Sequence, residues 1–189
     1  RKESYDDFYQ NLLMFQNLLS NSQKVKLFIN FDSMATFDRR YSMDNIEDHV
    51  AFQRLPKDFY GLSKNIIYRL GQSQDNFLNL RIFSCFSENE PNDRMIKGNI
   101  LRYMNKEPIV VHQNKLMDFV YSYDVIRVAE YFMKDLKKQT KRSYNICYSK
   151  KYSILEIANM INNLDKQKSD IVDEDGKLGI GTVSPGSYK

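Results

Sequence analysis

The chain has 189 residues, of which 42% are hydrophobic and 28% charged, with a formal net charge of +4 and two cysteines. This length suits one domain with a full core or two small lobes, and no apolar run reaches the roughly 18 to 20 residues of a membrane span. Cys85 and Cys147 are too few for a disulfide framework, and His49 and His112 stand outside any H-x-x-x-H or C-x-x-C spacing, so no metal centre is expected.

The segment "YDDFYQNLLMFQNLLSN" sets Phe8, Leu12, Phe15 and Leu19 on one stripe, widened by Leu13 and Leu18. That spacing predicts a helix over 4–20 with a broad apolar face. "KVKLFINF" is rich in strand formers and predicts a buried strand, Val25 to Asn30. The polar, aromatic run "DSMATFDRRYSMDNIEDHVAFQ" lacks periodicity and reads as a long connection, the kind that carries function. Pro56 suits a helix start, and "KDFYGLSKNIIYRLGQ" predicts a helix over 57–71. "NFLNLRIFSCF" reads as the next strand and "DRMIKGNILRYMNKE" as a helix.

Two short strands follow, "PIVVHQ" and "MDFVYS". "YDVIRVAEYFMKDLKKQ" is amphipathic, with Val125, Val128, Ala129 and Phe132 inward, and "SYNICYS" is a further strand. Ser153 and Glu156 form a capping box ahead of "SILEIANMINNL". The tail "DEDGKLGIGTVSPGSYK" is rich in glycine and turn residues and is expected to be mobile. Alternating strands and helices argue for an α/β fold with a largely parallel sheet.

Basic residues cluster at Lys137, Lys138, Lys141 and Arg142 and again at Lys150 and Lys151. They read as solvated helix ends and loops. A nucleic-acid site would need a continuous basic stripe with interleaved aromatics, so no nucleic acid is expected as partner. An anionic small molecule is compatible with the same charge.

Tyr60 and Lys64 form a Y-x-x-x-K pair, which in a chain with 13 tyrosines is weak by itself. Its context is more informative. A strand leads into Ser33 in "FINFDSMATFD", the Tyr60–Lys64 helix follows, then "NLRIFSCFS" with Glu88, Glu90 and Arg94 after it, and then "KLMDFVYSYDV".

This succession resembles the extended short-chain dehydrogenase/reductase family, in its nucleotide-sugar epimerase, dehydratase and reductase branch. "FDSMATFD", "YGLSK", "LRIFSCFS" and "MDFVYSYD" stand where that family has a serine-bearing strand end, Y-x-x-x-K, "LR-x-F-x-x-x-G" and "R-D-F-x-Y-V-x-D". "YNICYSKKYSILEIANMI" is similar to its later "NIG-x-G-x-x-x-S-x-x-E-x-A" segment. The likeness spans residues 5–165. Departures exist: Asp32 sits where a second serine is common, Met117 replaces an arginine, and Ser84 and Ser87 replace residues that are often Asn or Gly.

The resemblance implies a catalytic set of Ser33, Tyr60 and Lys64. On a helix, residues four apart share a face, and an ammonium beside a phenol favours the phenolate. Tyr60 would exchange a proton with a sugar hydroxyl or ketone while hydride passes to or from NAD or NADP. Lys64 would also bond the nicotinamide ribose, with Phe83 beside the cofactor, and Ser33 would hold the substrate oxygen in line. Ser84, Arg94 and Lys97 would bind the nucleotide sugar, the two cations facing its diphosphate.

The implied fold is a partial Rossmann-like sheet with flanking helices and a smaller C-terminal substrate-binding lobe. Residues 1–85 would supply the C-terminal half of the dinucleotide-binding domain and 86–189 the lobe, with about 117–147 returning to the main sheet. No strand here runs into G-x-G-x-x-G before a helix, so the sequence resembles a truncated enzyme that lacks the glycine-rich cofactor loop. The expected function is an NAD(P)-dependent nucleotide-sugar epimerase or 4-keto reductase. The competing reading is a non-catalytic binding or assembly module that keeps the fold without the cofactor half. A homodimer through helices 4–20 and 57–71, a cytoplasmic setting and no membrane association complete the expectations.

Overall fold

The computed structural model describes residues 4–41, 43 and 45–173, so the expectation for residues 174–189 of the tail lies outside the described residues. In chain order the elements are α1 (Tyr5–Leu19), β1 (Phe28–Ser33), α2 (Val50–Gln53), α3 (Phe59–Gly71), β2 (Phe77–Ile82), β3 (Ser84–Phe86), α4 (Met95–Met104) and β4 (Ile109–Val111). Then come β5 (Leu116–Met117), β6 (Phe119–Tyr121), α5 (Ser122–Lys134), β7 (Ser143–Ile146), β8 (Tyr152–Ser153), α6 (Ile154–Asn162) and β9 (Ile171–Asp173). The described chain divides into two units, one of residues 4–83 and 123–147, the other of 84–122 and 148–173. No described helix is long and apolar enough to cross a membrane.

The first unit is built on a parallel three-stranded sheet in the order β1-β2-β7. Because strand side chains alternate, the register sorts residues by face. One face carries Phe28 opposite Phe77, then Asn30, Asn79 and Ser143 as one polar rung, then Asp32, Arg81 and Asn145 as another. The opposite face carries Ile29 and Leu78, then Phe31, Leu80 and Tyr144, then Ser33, Ile82 and Ile146. Phe15 of α1, Ile67 of α3 and Phe77 form one buried cluster, and Phe37, Ala51 and Tyr68 another.

α1 starts at a capping box made by Ser4 and Asp7, and its broad apolar face is shared out unequally. Phe15 is buried, while Tyr9, Met14 and Leu18 are half exposed or more. Ring contacts of Tyr5 and Phe8 with Phe59, and a hydrogen bond from Asn11 to Ser63, join α1 to α3.

β1 begins and ends three residues later than the apolar run predicts. The Asn76 side chain ties down the carbonyls of Ser22 and Val25, and pairing with β2 starts only at Phe28. Hydrophobicity does not end the strand at Asn30, because the polar side chains beyond it find partners across the sheet. α3 likewise begins after Asp58, whose carboxylate accepts from the Gly61 N–H at 2.7 Å, and not at Pro56. Pro56 instead packs under Gly61: a Cβ there would stand 2.8 Å from the proline Cβ and 2.7 Å from the Ala35 carbonyl. Glycine at position 61 is what lets the helix approach the strand end this closely.

In the second unit β3 pairs parallel with β6, β4 parallel with β9, and β5 antiparallel with β8. "NFLNLRIFSCF" is therefore two strands, divided at Phe83: β2 has used its last ladder partners at Ile82, and Ser84–Phe86 pair with Phe119–Tyr121. Tyr103, Ile109, Val111, Phe119, Ile154, Ala158 and Ile161 form the core. α6 has the expected capping box of Ser153 and Glu156. β9, a three-residue strand whose partner lies about sixty residues earlier, leaves no periodic signal in the sequence.

Candidate active site

Ser33 is the last residue of β1 and the N-cap of a single 3₁₀ turn, Met34–Thr36, with its Oγ accepting from the Ala35 N–H at 3.2 Å. A hydroxyl at a strand end that accepts from the N–H two residues on makes this turn cheap. The opening turn of α3 is held against it. Asn65, fully buried, donates to the Thr36 carbonyl and the Ala51 carbonyl at 2.8 Å each, and accepts from Arg69 Nε at 2.7 Å.

Tyr60 and Lys64 stand one helical turn apart at the start of α3, with the Lys64 Nζ 5.8 Å from the centre of the tyrosine ring. The same ammonium donates to the Phe31 carbonyl at 3.2 Å, two residues before Ser33. Lysine thus bridges the strand end to the helix. Tyr60 remains 39% exposed, open enough to meet a ligand.

Beneath this surface runs the buried polar network of the sheet. Asn30 donates to Asn79 at 2.6 Å, and Asn79 donates to Asp32 at 2.9 Å and Ser143 at 3.3 Å. Asp32 also accepts from the Thr36 hydroxyl at 2.6 Å and pairs with Arg81 Nε at 3.3 Å. Burial and the charge of Asp48 push the Tyr68 phenol above its ordinary value. The sequence marks Asp32 only as a departure from the family pattern and gives no site role to Asn65, Asn79 or Arg81. The signal was there: polar residues at alternate positions of two strand-like runs predict a polar sheet face.

The other candidates are distributed differently. Phe83 is half-buried and closes the first segment of the first unit. In the second unit a cavity of about 550 Å³ is lined by Ser84, Cys85, Glu90, Arg94, His112 and Lys115, among others. Arg94 lies 4.0 Å from Glu90 and keeps a side chain 61% exposed. Lys97, on α4, is committed to the loop that precedes the helix, with Nζ donating to the carbonyls of Glu88 at 2.9 Å and Glu90 at 2.7 Å. Burial, then the Glu90 charge, pushes the Cys85 thiol up, which favours the neutral form. Among the described residues no cluster of three His, Cys, Asp or Glu side chains could hold a metal ion.

Residues 1–147 match the profile of the NAD dependent epimerase/dehydratase family. The chain belongs to this family. As an epimerase/dehydratase family member it shares its fold with several solved enzymes of low sequence identity. A GDP-L-fucose synthetase from Naegleria fowleri is 19% identical with a TM-score of 0.75, over 95% of this chain and 60% of that one. A GDP-mannoheptose C4 reductase from Campylobacter jejuni, with NADP bound, is 20% identical with a TM-score of 0.76, over 89% and 64%. A UDP-glucuronic acid 4-epimerase from Bacillus cereus, in complex with UDP-glucuronic acid and NAD, is 19% identical with a TM-score of 0.69, over 86% and 54%. The chain spans about 54–64% of the length of these three structures. Comparison with curated proteins gives no match. The parallel sheet with flanking helices is the Rossmann-like architecture of the family.

Proposed function

We propose that this chain carries the acid/base and substrate-binding portion of an NAD(P)-dependent nucleotide-sugar epimerase or 4-keto reductase. The observation that supports it most is the placement of the Lys64 ammonium, 5.8 Å from the Tyr60 ring and bonded to the backbone of the strand that ends in Ser33. Ser33 at the end of β1 and Tyr60 and Lys64 on α3 belong to the same unit, and the Lys64 bond to the Phe31 carbonyl ties that helix to that strand.

In this reading Tyr60 exchanges a proton with a sugar oxygen, and Lys64 supplies the positive charge that favours the phenolate. Ser33 holds the substrate oxygen, and Phe83 flanks the cofactor. NAD or NADP, when bound, supplies hydride exchange at a sugar carbon. The residues present fit one end of that cofactor. Lys64 and Tyr60 can meet a nicotinamide ribose, whereas the three glycines among the described residues all lie in helices and form no pyrophosphate loop. In the second unit, Ser84 and Arg94 at the cavity, with Lys97 ordering the loop beside it, would receive the nucleotide sugar. A homodimer through α1 and α3 is supported by the half-exposed Tyr9, Met14 and Leu18 on α1 and by Leu70 on α3. Two cysteines, too few for a disulfide framework, suit a cytoplasmic setting.

Titrating the chain with NADH and NADPH while following nicotinamide fluorescence tests this reading. Saturable binding weakened at least tenfold in Lys64→Ala is the expected result. Met14→Glu should halve the mass measured by sedimentation if α1 builds the dimer. A second reading, a binding or assembly module without catalysis, is favoured by the described glycines, which all lie in helices and form no pyrophosphate loop. It predicts no nicotinamide binding by wild-type chain under any condition in which the fold is intact.

A further inference from the structure

We propose that Arg81 is a positioning residue, whose guanidinium fixes the Ser33 turn against the helix that carries Tyr60 and Lys64. The inference rests on the reading of those three residues as the reacting set.

Arg81 is the largest fully buried side chain among the described residues, and its partners come from β1, the connection to α3, α3 itself and β7. Its Nε lies 3.3 Å from Asp32, the residue immediately before Ser33. Its Nη1 donates at 2.7 Å to Asp48, in the connection that joins the Ser33 turn to α3, and at 2.7 Å to Asn145 on β7. Its Cζ lies 4.4 Å from the centre of the Phe37 ring and 4.9 Å from that of Tyr68. Phe37 directly follows the 3₁₀ turn that Ser33 caps. Tyr68 completes the stripe Tyr60, Lys64, Tyr68 along one side of α3. Asp32, held by Arg81, in turn accepts from Thr36 and so clamps the turn from beneath. One rigid, planar cation therefore references the strand, turn, connection and helix to each other.

Stability alone does not require such a group. Buried ion pairs are often replaceable by apolar side chains of similar volume without loss. What an apolar group cannot supply is direction, and what lysine cannot supply is a fork with two stacking faces. A reacting set displaced by about 1 Å can lose on the order of a hundredfold in rate, so geometry is the property worth fixing here.

The test compares Arg81→Lys with Leu78→Ala, a cavity on the opposite, apolar face of the same strand, at conditions where both have lost equal thermal stability. Amide hydrogen exchange is read at residues 33–37 and 59–64 of the whole chain. The expected result is exchange about tenfold faster in both segments for Arg81→Lys, and unchanged relative exchange there for Leu78→Ala. Equal loosening in the two variants overturns the inference and leaves Arg81 a stabilising residue only. Should Arg81→Lys fail to fold, Asp48→Ala removes one arm of the same contact set at a partly exposed position and is judged by the same segments. Where the wild type turns over a nucleotide sugar with NADH or NADPH, Arg81→Lys should lower kcat about a hundredfold with KM within twofold. A fall through KM alone counts against positioning. A wild type without turnover overturns the proposed function, while the exchange comparison still decides whether Arg81 ties turn to helix.

Discussion

The cores of the two units solve the same problem with different chemistry. Between its sheet and α3, the first unit buries Asp32, Asn65, Asn79 and Arg81, each at 3% exposure or less. The second unit closes over Ile109, Val111, Phe119, Ile154, Ala158 and Ile161, with Tyr103 the polar-tipped member. An apolar core is held by volume and area and tolerates small changes of shape. A polar core is held largely by directed bonds, and an unpaired member is costly. Arg81 bears that cost in part, because its buried Nε and Nη2 make no hydrogen bond and Nε is held by the charge of Asp32 alone. The candidate reacting residues stand at the edge of the polar core. Where a few tenths of an ångström matter, direction is present; where a lobe only has to stay closed, oil suffices.

The sharpest way to break this contrast is to change charge without changing volume. Asp32→Asn keeps the size of the side chain but sets an amide against a buried guanidinium that also depends on Asp48. Removing one partner of a buried pair leaves an uncompensated charge, and the expected loss is about 3 kcal/mol. Chemical denaturation measured to completion checks it. A loss below about 1 kcal/mol would place the pair among those that a surface could host, and the contrast between the units would go with it.

The matching change in the second unit is Ile109→Val, the loss of one methylene from a fully buried strand residue. The expected cost is about 1 kcal/mol, smaller than that of Asp32→Asn although more atoms are removed. Ranking the two in one denaturant series sharpens the comparison. If the methylene costs more than the charge, then volume governs both cores.

Legibility of the sequence follows the same division. Helices with clear stripes or caps were readable at once: α1, α5 and α6 sit where apolar spacing and the Ser153–Glu156 box put them. β1 was misplaced because pairing, not hydrophobicity, sets its ends, and Asp32 and Ser33 look like loop residues until their cross-strand partners are known. Ser33, Tyr60 and Lys64 were legible as a set only through their order along the chain. The structure adds that Lys64 reaches the Phe31 carbonyl, a contact between residues 33 apart that no local pattern encodes. Arg81 was invisible as a site residue for the opposite reason. A lone arginine in a strand-like run usually reads as an edge or surface position, and here it is wholly buried by partners from four other segments.

A titratable polar tie in the second unit's core gives the smallest and most diagnostic effect; Asn99, which bonds the Val110 backbone in both directions, is polar but does not titrate. Tyr103, on α4, is 4% exposed and donates its hydroxyl to Asp165, which also accepts from the Gln167 N–H at 2.6 Å. The hydroxyl bond first, and the backbone bond second, hold the Asp165 carboxyl below its ordinary value of 3.8. A carboxylate depressed by folding stabilises the native state above its unfolded value, and that contribution disappears as pH falls through the folded one. Stability contributed by Asp165 is therefore complete at neutral pH and is lost below about pH 3.8. Asp165→Asn removes the titration, since an amide is uncharged at every pH, and the difference between wild-type and variant stability should shrink on acidification below pH 3.8. Asp38 and Glu156, also depressed, titrate in both proteins and cancel in that difference. A gap that stays constant from neutral pH to pH 2 would mean that the Tyr103 bond contributes no more to the ion than to the neutral acid, and that this tie adds no charge-dependent direction to the second unit's core.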